Sequence, residues 1–229
     1  MKKTFIVAPL LLIFSNYCNV VEASNKPAVL ELEVKAKNIV IKTTNLRVKV
    51  LELAMIAFYN SRKLGVPTKR PIITVIDYSL PSTEKRLWVV DINQEKVLHA
   101  SMVAHGKYSG ENYTTKFSNK IGSLQTSIGV FLTENTYFGR DGYSLRIEGL
   151  ERGFNDNAKV RTIVMHGAPY VSKQFIAAAG RAGRSWGCPA VEKSLAKPII
   201  NTIKNGTLIF AFYPDNNWLH NSIFINRRA

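Results

Sequence analysis

Of the two cysteines and four histidines in the 229-residue chain, Cys188 and His166 have the setting for nucleophilic chemistry near neutral pH. A thiol attacks well only as thiolate, and an imidazole within reach can take its proton. The two stand 22 positions apart within VMHGAPYVSKQFIAAAGRAGRSWGCPAV, residues 164–191. His166 closes the apolar run Thr162–Met165, which puts its ring at the rim of a sheet. Gly167, Gly183 and Gly187 let backbone approach a substrate closely and let amides point into a pocket. The amides of Trp186, Gly187 and Cys188 are the expected donors to an oxyanion. Pro189 has no amide, but its ring restricts Cys188 to an extended conformation and so fixes the aim of the thiol.

Other chemistries can be drawn with the same residues. His105, His166 and Cys188 are zinc-ligand types, but no closely spaced ligand pair anchors such a site, so neither a metal nor a cofactor is expected. A papain-like peptidase also pairs Cys with His, but usually with the cysteine near the mature N-terminus and the histidine far downstream, the reverse of the order here. His105 precedes Gly106 as His166 precedes Gly167, so it either lines the same cleft or is a satisfied structural histidine. Arg181 and Arg184 either grip a substrate carboxylate bidentately or lie on a solvated turn. Tyr143, in GYSLRIEGL, either faces substrate or packs in a strand.

The elements that must position these residues are mostly strands. Runs at ITVID, RLWVVD, KVLHASMVAH, GVFLT, YSLRIEGL, VRTIVMH and TLIFAFY are separated by turn-rich stretches. Leu87, Val89 and Asp91 against Trp88 and Val90 imply burial on both faces. Upstream, Leu46, Val50, Leu53, Ala54, Ala57 and Phe58 recur at helical spacing, with Asn45 as the expected N-cap and Gly65 and Pro67 as the stop. Residues 24–44 show no clear period and suggest a loose lead-in with one short strand near Ile39–Ile41. A short helix is expected over 172–179 before Gly180, and a second one opened by Pro198 and closed by Asn205 and Gly206. Residues 106–122, rich in Gly, Ser, Asn, Thr and Tyr, form a long loop of the functional kind. The tail after Pro214 carries Trp218 and Phe224 without recognisable chemistry. The fold class is mainly β, of the α+β type.

Lys2 and Lys3, an apolar run from Phe5 to Phe14, and Val21, Glu22 and Ala23 have the pattern of a cleaved secretory signal over residues 1–23. The run is shorter than the roughly 20 residues needed to span a bilayer. Cys18 leaves with that segment, so Cys188 stays as a lone thiol in an oxidising compartment, without a disulfide partner. Losing Lys2, Lys3 and Glu22 lowers the net charge only from +15 to +14. The basic residues are scattered, with no RNA-binding motif, so nucleic acid is not an expected partner; anionic cell-wall polymer or a membrane surface is. Oligomeric state is not legible. The expected organisation is 1–23 signal, 24–70 lead-in and amphipathic helix, and 71–229 catalytic domain.

HGAPYVS followed by GRAGRSWGCPAV resembles the catalytic segment of the murein L,D-transpeptidases, in the variant branch with tryptophan before the Gly-Cys pair. The likeness continues upstream through IDYSLPSTEKRLWVVD, VAHGKYSGENYTTKFSN, GSLQTSIGVF and GYSLRIEGL, and so covers about Ile72 to Tyr213. It implies a β-sandwich or barrel with an N-terminal helix and short helices flanking the active-site loop. It also implies a Cys188 nucleophile, a His166 base and peptidoglycan stem peptides as substrate. Ser185 matches the family's Ser or Thr, which places it at the substrate. Trp186 stands where the common form has a second histidine, and Pro189 and Ala190 replace the apolar residue and the Arg or Asn that usually follow the cysteine. The implied enzyme is an exported L,D-transpeptidase of the periplasm or cell wall. The alternatives are an L,D-carboxypeptidase that uses water as acceptor and a non-catalytic wall-binding module of the same fold.

Overall fold

A computed structural model describes residues 25–226; the expected signal segment, 1–23, lies outside the described residues. The chain opens with α1 (Asn25–Val40) and α2 (Val48–Lys63), followed by β1 (Ile72–Asp77), β2 (Leu87–Asp91), β3 (Lys96–Ser101) and β4 (Val103–Ala104). The long hairpin of β5 (Gly129–Gly139) and β6 (Gly142–Gly149) comes next, then β7 (Val164–Ala168), α3 (Lys173–Ala179) and β8 (Ala190–Glu192). It ends with α4 (Lys193–Ile203), β9 (Leu208–Phe212) and α5 (Asn216–Asn221).

The nine strands make one sheet in the order β3-β2-β1-β9-β5-β6-β7-β8-β4. Its two outer members, β3 and β4, are consecutive in the chain and separated only by Met102. One run therefore leaves one edge of the sheet and joins the other, so the sheet nearly closes on itself, which limits exposed strand edge. β1 pairs with β9, and β7 with β8, in parallel; every other named pair is antiparallel.

Both faces are covered, which is why the strands read as unbroken apolar runs. Ile73, Val75, Trp88, Val90 and Phe210 bury on the face shared with α1, α2, Trp218 and Phe224. Their alternates, Ile72, Ile76, Leu87, Val89 and Ile209, bury on the other face with Ile199, Ile200 and Ile203 of α4. The two-sided burial expected of Leu87–Asp91 is present, with Leu87 to Val90 all buried.

Three expectations are corrected. Residues 25–40 are helical, without the expected strand: Leu32, Ala36 and Ile39, spaced as one helical stripe, bury against α2, and Glu31–Lys35 and Glu33–Lys37 pair at i, i+4 on the outside. Asn45 does not cap α2. It sits at φ +65 and donates to Glu84, whereas Arg47 holds the cap position and its guanidinium pairs with the buried Asp77. Pro198 lies inside α4 and does not open it. The hydrogen bond lost to an interior proline costs about 3 kcal/mol, but three buried isoleucines offset this at about 1.5–3 kcal/mol each. The tail forms α5, capped by Asp215, and inserts Trp218 into the core with its indole N–H on the Glu151 carboxylate at 3.1 Å.

Candidate active site

Cys188 and His166 are brought together by parallel pairing of β7 with β8. The register places His166 opposite Ala190, so Cys188, two residues earlier, extends β8 beside Val164. His166 lies inside β7 and not at its end, because the strand runs on through Gly167 and Ala168. Gly167 is required there, since a Cβ would come within 2.8 Å of the Ala196 Cβ on α4. His166 and Cys188 both line a cavity of about 630 Å³, together with Tyr137, Arg140, Asp141, Arg161, Tyr170, Arg184, Ser185 and Trp186. No direct hydrogen bond joins the two among the described residues; the thiol points toward the Thr162 carbonyl at 3.9 Å.

The tautomer of His166 follows from its partner. Nδ1 lies 3.2 Å from the Gly167 carbonyl, which can only accept, so Nδ1 carries the proton and Nε2 keeps its lone pair. Nε2 is then the nitrogen able to act as base. The Cys188 thiol is pushed up from its ordinary value, chiefly by burial and further by Asp141, while the Val164 amide, Arg161 and Arg140 pull it down. The resting sulfur is accordingly a protonated thiol that needs a base.

Ser185 shapes the turn that carries the cysteine. Its hydroxyl donates to the Cys188 carbonyl at 2.6 Å and accepts from the Gly187 amide at 3.1 Å. The Gly187 amide is thus already engaged, which corrects the expectation that it faces an oxyanion; the Trp186 and Cys188 amides have no acceptor among the described residues. Gly187 itself is obligatory, with φ +119 and space so tight that a Cβ would lie 2.7 Å from the Gln125 carbonyl oxygen.

The remaining expected residues are placed as follows. His105 is fully buried and does not line the cavity. Its Nδ1 faces the buried Arg86 guanidinium at 2.8 Å and its Nε2 the Gly110 carbonyl at 3.2 Å. Burial and Arg86 pull its pKa down to about 4, so it is a neutral structural histidine. Its backbone nevertheless serves the site, because the Ser185 amide donates to the His105 carbonyl at 2.9 Å. Arg181 lies outside the cavity lining, and both Arg181 and Arg184 are ion-paired with Glu111. They are therefore occupied in tying residues 106–111 to the turn that carries Cys188. Tyr143 is also outside the lining, bonded to Asn201 at 2.8 Å and packed on Phe138. Trp186, 63% exposed, stands at the cavity with the Arg140 guanidinium 5.2 Å from its ring centroid.

Three site residues were not anticipated. Arg161 spreads its guanidinium over the loop opposite the thiol, donating to the Ser118 and Gln125 carbonyls and the Ser123 and Ser127 hydroxyls. Arg140 and Tyr170 line the cavity from the β5–β6 hairpin and the β7–α3 turn. No short motif marks any of them, because each reaches the site from a distant element; the one available signal was Arg161 standing just ahead of the strand that carries His166.

A family model for the L,D-transpeptidase catalytic domain matches residues 42–212. No curated protein matches. Among solved structures, an L,D-transpeptidase from Mycobacterium smegmatis is 15% identical with a TM-score of 0.39, covering 62% of this chain and 59% of that one. L,D-transpeptidase 1 of Mycobacterium tuberculosis is 15% identical with a TM-score of 0.36, covering 62% of each chain. An L,D-transpeptidase from Stackebrandtia nassauensis is 13% identical with a TM-score of 0.37, covering 82% of this chain and 92% of that one. By the extent of the family match, the chain belongs to the L,D-transpeptidase catalytic domain family.

Proposed function

We propose that this protein is an exported cell-wall enzyme, a cysteine L,D-transpeptidase that acts on peptidoglycan stem peptides through a thioacyl intermediate. The observation that carries the reading is the one cavity lined by both the Cys188 thiol and the His166 ring, with the Nδ1 proton of His166 held by the Gly167 carbonyl. His166 Nε2 takes the proton from Cys188 Sγ as the sulfur attacks a stem-peptide carbonyl at an L-configured centre. The carbonyl electron pair moves onto oxygen, where the Trp186 and Cys188 amides stabilise it. Collapse of the tetrahedral adduct breaks the C–N bond, and His166 returns its proton to the departing D-amino acid amine. The side-chain amine of a diamino acid on a second stem then attacks the thioester and gives a proton to His166; the C–S bond breaks, and His166 passes that proton to the departing sulfur, leaving a cross-link and the resting thiol.

Export is supported by Lys2, Lys3, the apolar run that follows and the small-residue pattern near Ala23. The strongly basic balance suits a wall rich in anionic polymer, or a membrane surface. Intact-mass analysis after incubation with a carbapenem tests the thiol chemistry: one covalent adduct is expected on the wild type and none on Cys188→Ala. Muropeptides incubated with the protein are expected to give cross-linked dimers, and trimmed monomers alone would select the L,D-carboxypeptidase. A folded protein that takes no adduct and leaves muropeptides unchanged would be a wall-binding module, and the enzyme reading would fall.

A further inference from the structure

We infer that Arg140, held over the Trp186 indole at the edge of the cavity, is the specificity residue that binds a carboxylate of the acyl donor. The identity of that donor rests on the stem-peptide reading above; the anion site does not. Three guanidiniums line the cavity, those of Arg140, Arg161 and Arg184. Arg161 is committed to two carbonyls and two hydroxyls of residues 118–127. Arg184 is committed to Glu111 and to the Lys107 and Gly110 carbonyls. Arg140 has no hydrogen bond among the described residues, and its nearest carboxylate is that of its own neighbour Asp141, 3.9 Å from Nε. Of the three, it alone has both terminal nitrogens without a hydrogen bond among the described residues; every bond of Arg184 uses Nη1, which is held in the Glu111 pair.

Its setting also limits how far it can swing. It sits at the tip of the β5–β6 hairpin, whose final pairing is Gly139 with Gly142. Behind the tip, Phe138 packs on Tyr143 at 5.3 Å between ring centroids, and the Tyr143 hydroxyl donates to Asn201 on α4 at 2.8 Å. In front, the Trp186 ring lies 5.2 Å from the guanidinium carbon. An aromatic face attracts a guanidinium without using its N–H donors, so the edge stays free to form two parallel bonds to a carboxylate. Arg140 and Asp141 line the same cavity as Cys188. A carboxylate on Arg140 is thus near the carbonyl under attack, and the preferred donor is an anionic peptide. Trp186 acts through Arg140 as a positioning residue.

The test compares alkylation of Cys188 by iodoacetate, which is anionic, with alkylation by iodoacetamide, which is neutral and nearly the same size. In each reaction an S–C bond forms and iodide leaves. Arg140→Gln is expected to lower the iodoacetate-to-iodoacetamide rate ratio roughly fivefold; loss of the arginine's pull on the thiol slows both reagents alike and cancels in the ratio. Trp186→Leu, which keeps every charge, is expected to lower the ratio as well, by removing the support of the guanidinium. An unchanged ratio in Arg140→Gln overturns the inference. A fall in Arg140→Gln with none in Trp186→Leu also overturns it, because long-range charge alone gives that result. Alkylation requires no peptidoglycan and no turnover, so failure of the muropeptide assay with these ratio changes intact removes the enzyme reading and leaves the anion site standing.

Discussion

At Cys188 the neighbouring groups act in opposite directions on one sulfur. Burial and Asp141 favour the thiol, and the Val164 amide, Arg161 and Arg140 favour the thiolate. Arg161 is the one of these that also holds structure, since its guanidinium gathers Ser118, Ser123, Gln125 and Ser127 against the site. It also lies close to the position that a Gly187 Cβ would take, at 3.2 Å, so the loop, the arginine and the turn that carries Cys188 form one packed unit. Arg161→Lys keeps the charge and loses the fork. It is expected to leave the pH profile of Cys188 alkylation near wild type while residues 118–127 exchange their amide hydrogens faster. Arg161→Gln is expected to do both, raising the apparent thiol pKa and loosening the loop. Hydrogen exchange by mass spectrometry and iodoacetamide rates across pH measure the two effects, and a loop that stays protected in both variants would count against the clamp.

At the scale of elements, α1 is the clearest case of structure that the sequence hides. Among its described side chains the inward stripe is Leu32, Ala36 and Ile39, with Val40 packed beside them, while Leu30 and Val34 are exposed and Glu31, Glu33, Lys35 and Lys37 interrupt the pattern, so no apolar period stands out. α1 also precedes residue 42, where the family match begins. Ile39→Asp places an unpaired carboxylate in a fully buried position and is expected to detach α1 from α2. Protease cleavage within 25–40 should become rapid while the Cys188 alkylation rate stays at the wild-type value, and a large change in that rate would tie α1 to the site. The strands were legible because burial on both faces leaves uninterrupted apolar runs. β8, three residues long, carries no such signal, and the start of α4 is hidden because Pro198 reads as a helix opener while the helix tolerates it inside. In the site, Cys188 and His166 were visible because few residue types do this chemistry and glycines flank both. The roles of Arg181, Arg184 and His105 were not visible, since Glu111 and Arg86, their partners, lie far from them in sequence.

At the scale of the whole molecule, His105 and Glu151 are buried ionisable groups with opposite pH signatures. His105 is neutral in the folded state because Arg86 occupies Nδ1 and burial resists a second charge, which lowers its pKa from 6.5 to about 4. The unfolded chain then binds more protons than the native one between those values, so this contribution is full above pH 6.5 and is lost as pH falls toward 4, on the order of 3 kcal/mol in all. Glu151 runs the other way. Burial raises its pKa above 4.5, so its contribution is full below that value and is lost as pH rises through the folded pKa. The exposed carboxylates Glu111 and Asp156 are lowered and add weakly to the trend set by His105. Urea unfolding at pH 7 and pH 5 separates the two buried groups. His105→Gln is expected to lose about 2 kcal/mol less than wild type between the two pH values, because its side chain does not titrate. Glu151→Gln is expected to lose more than wild type over the same interval, since the opposing group is gone. Equal losses in wild type and His105→Gln would mean that the Arg86–His105 pair does not hold the imidazole neutral, and the buried anchor behind Ser185 would need another explanation.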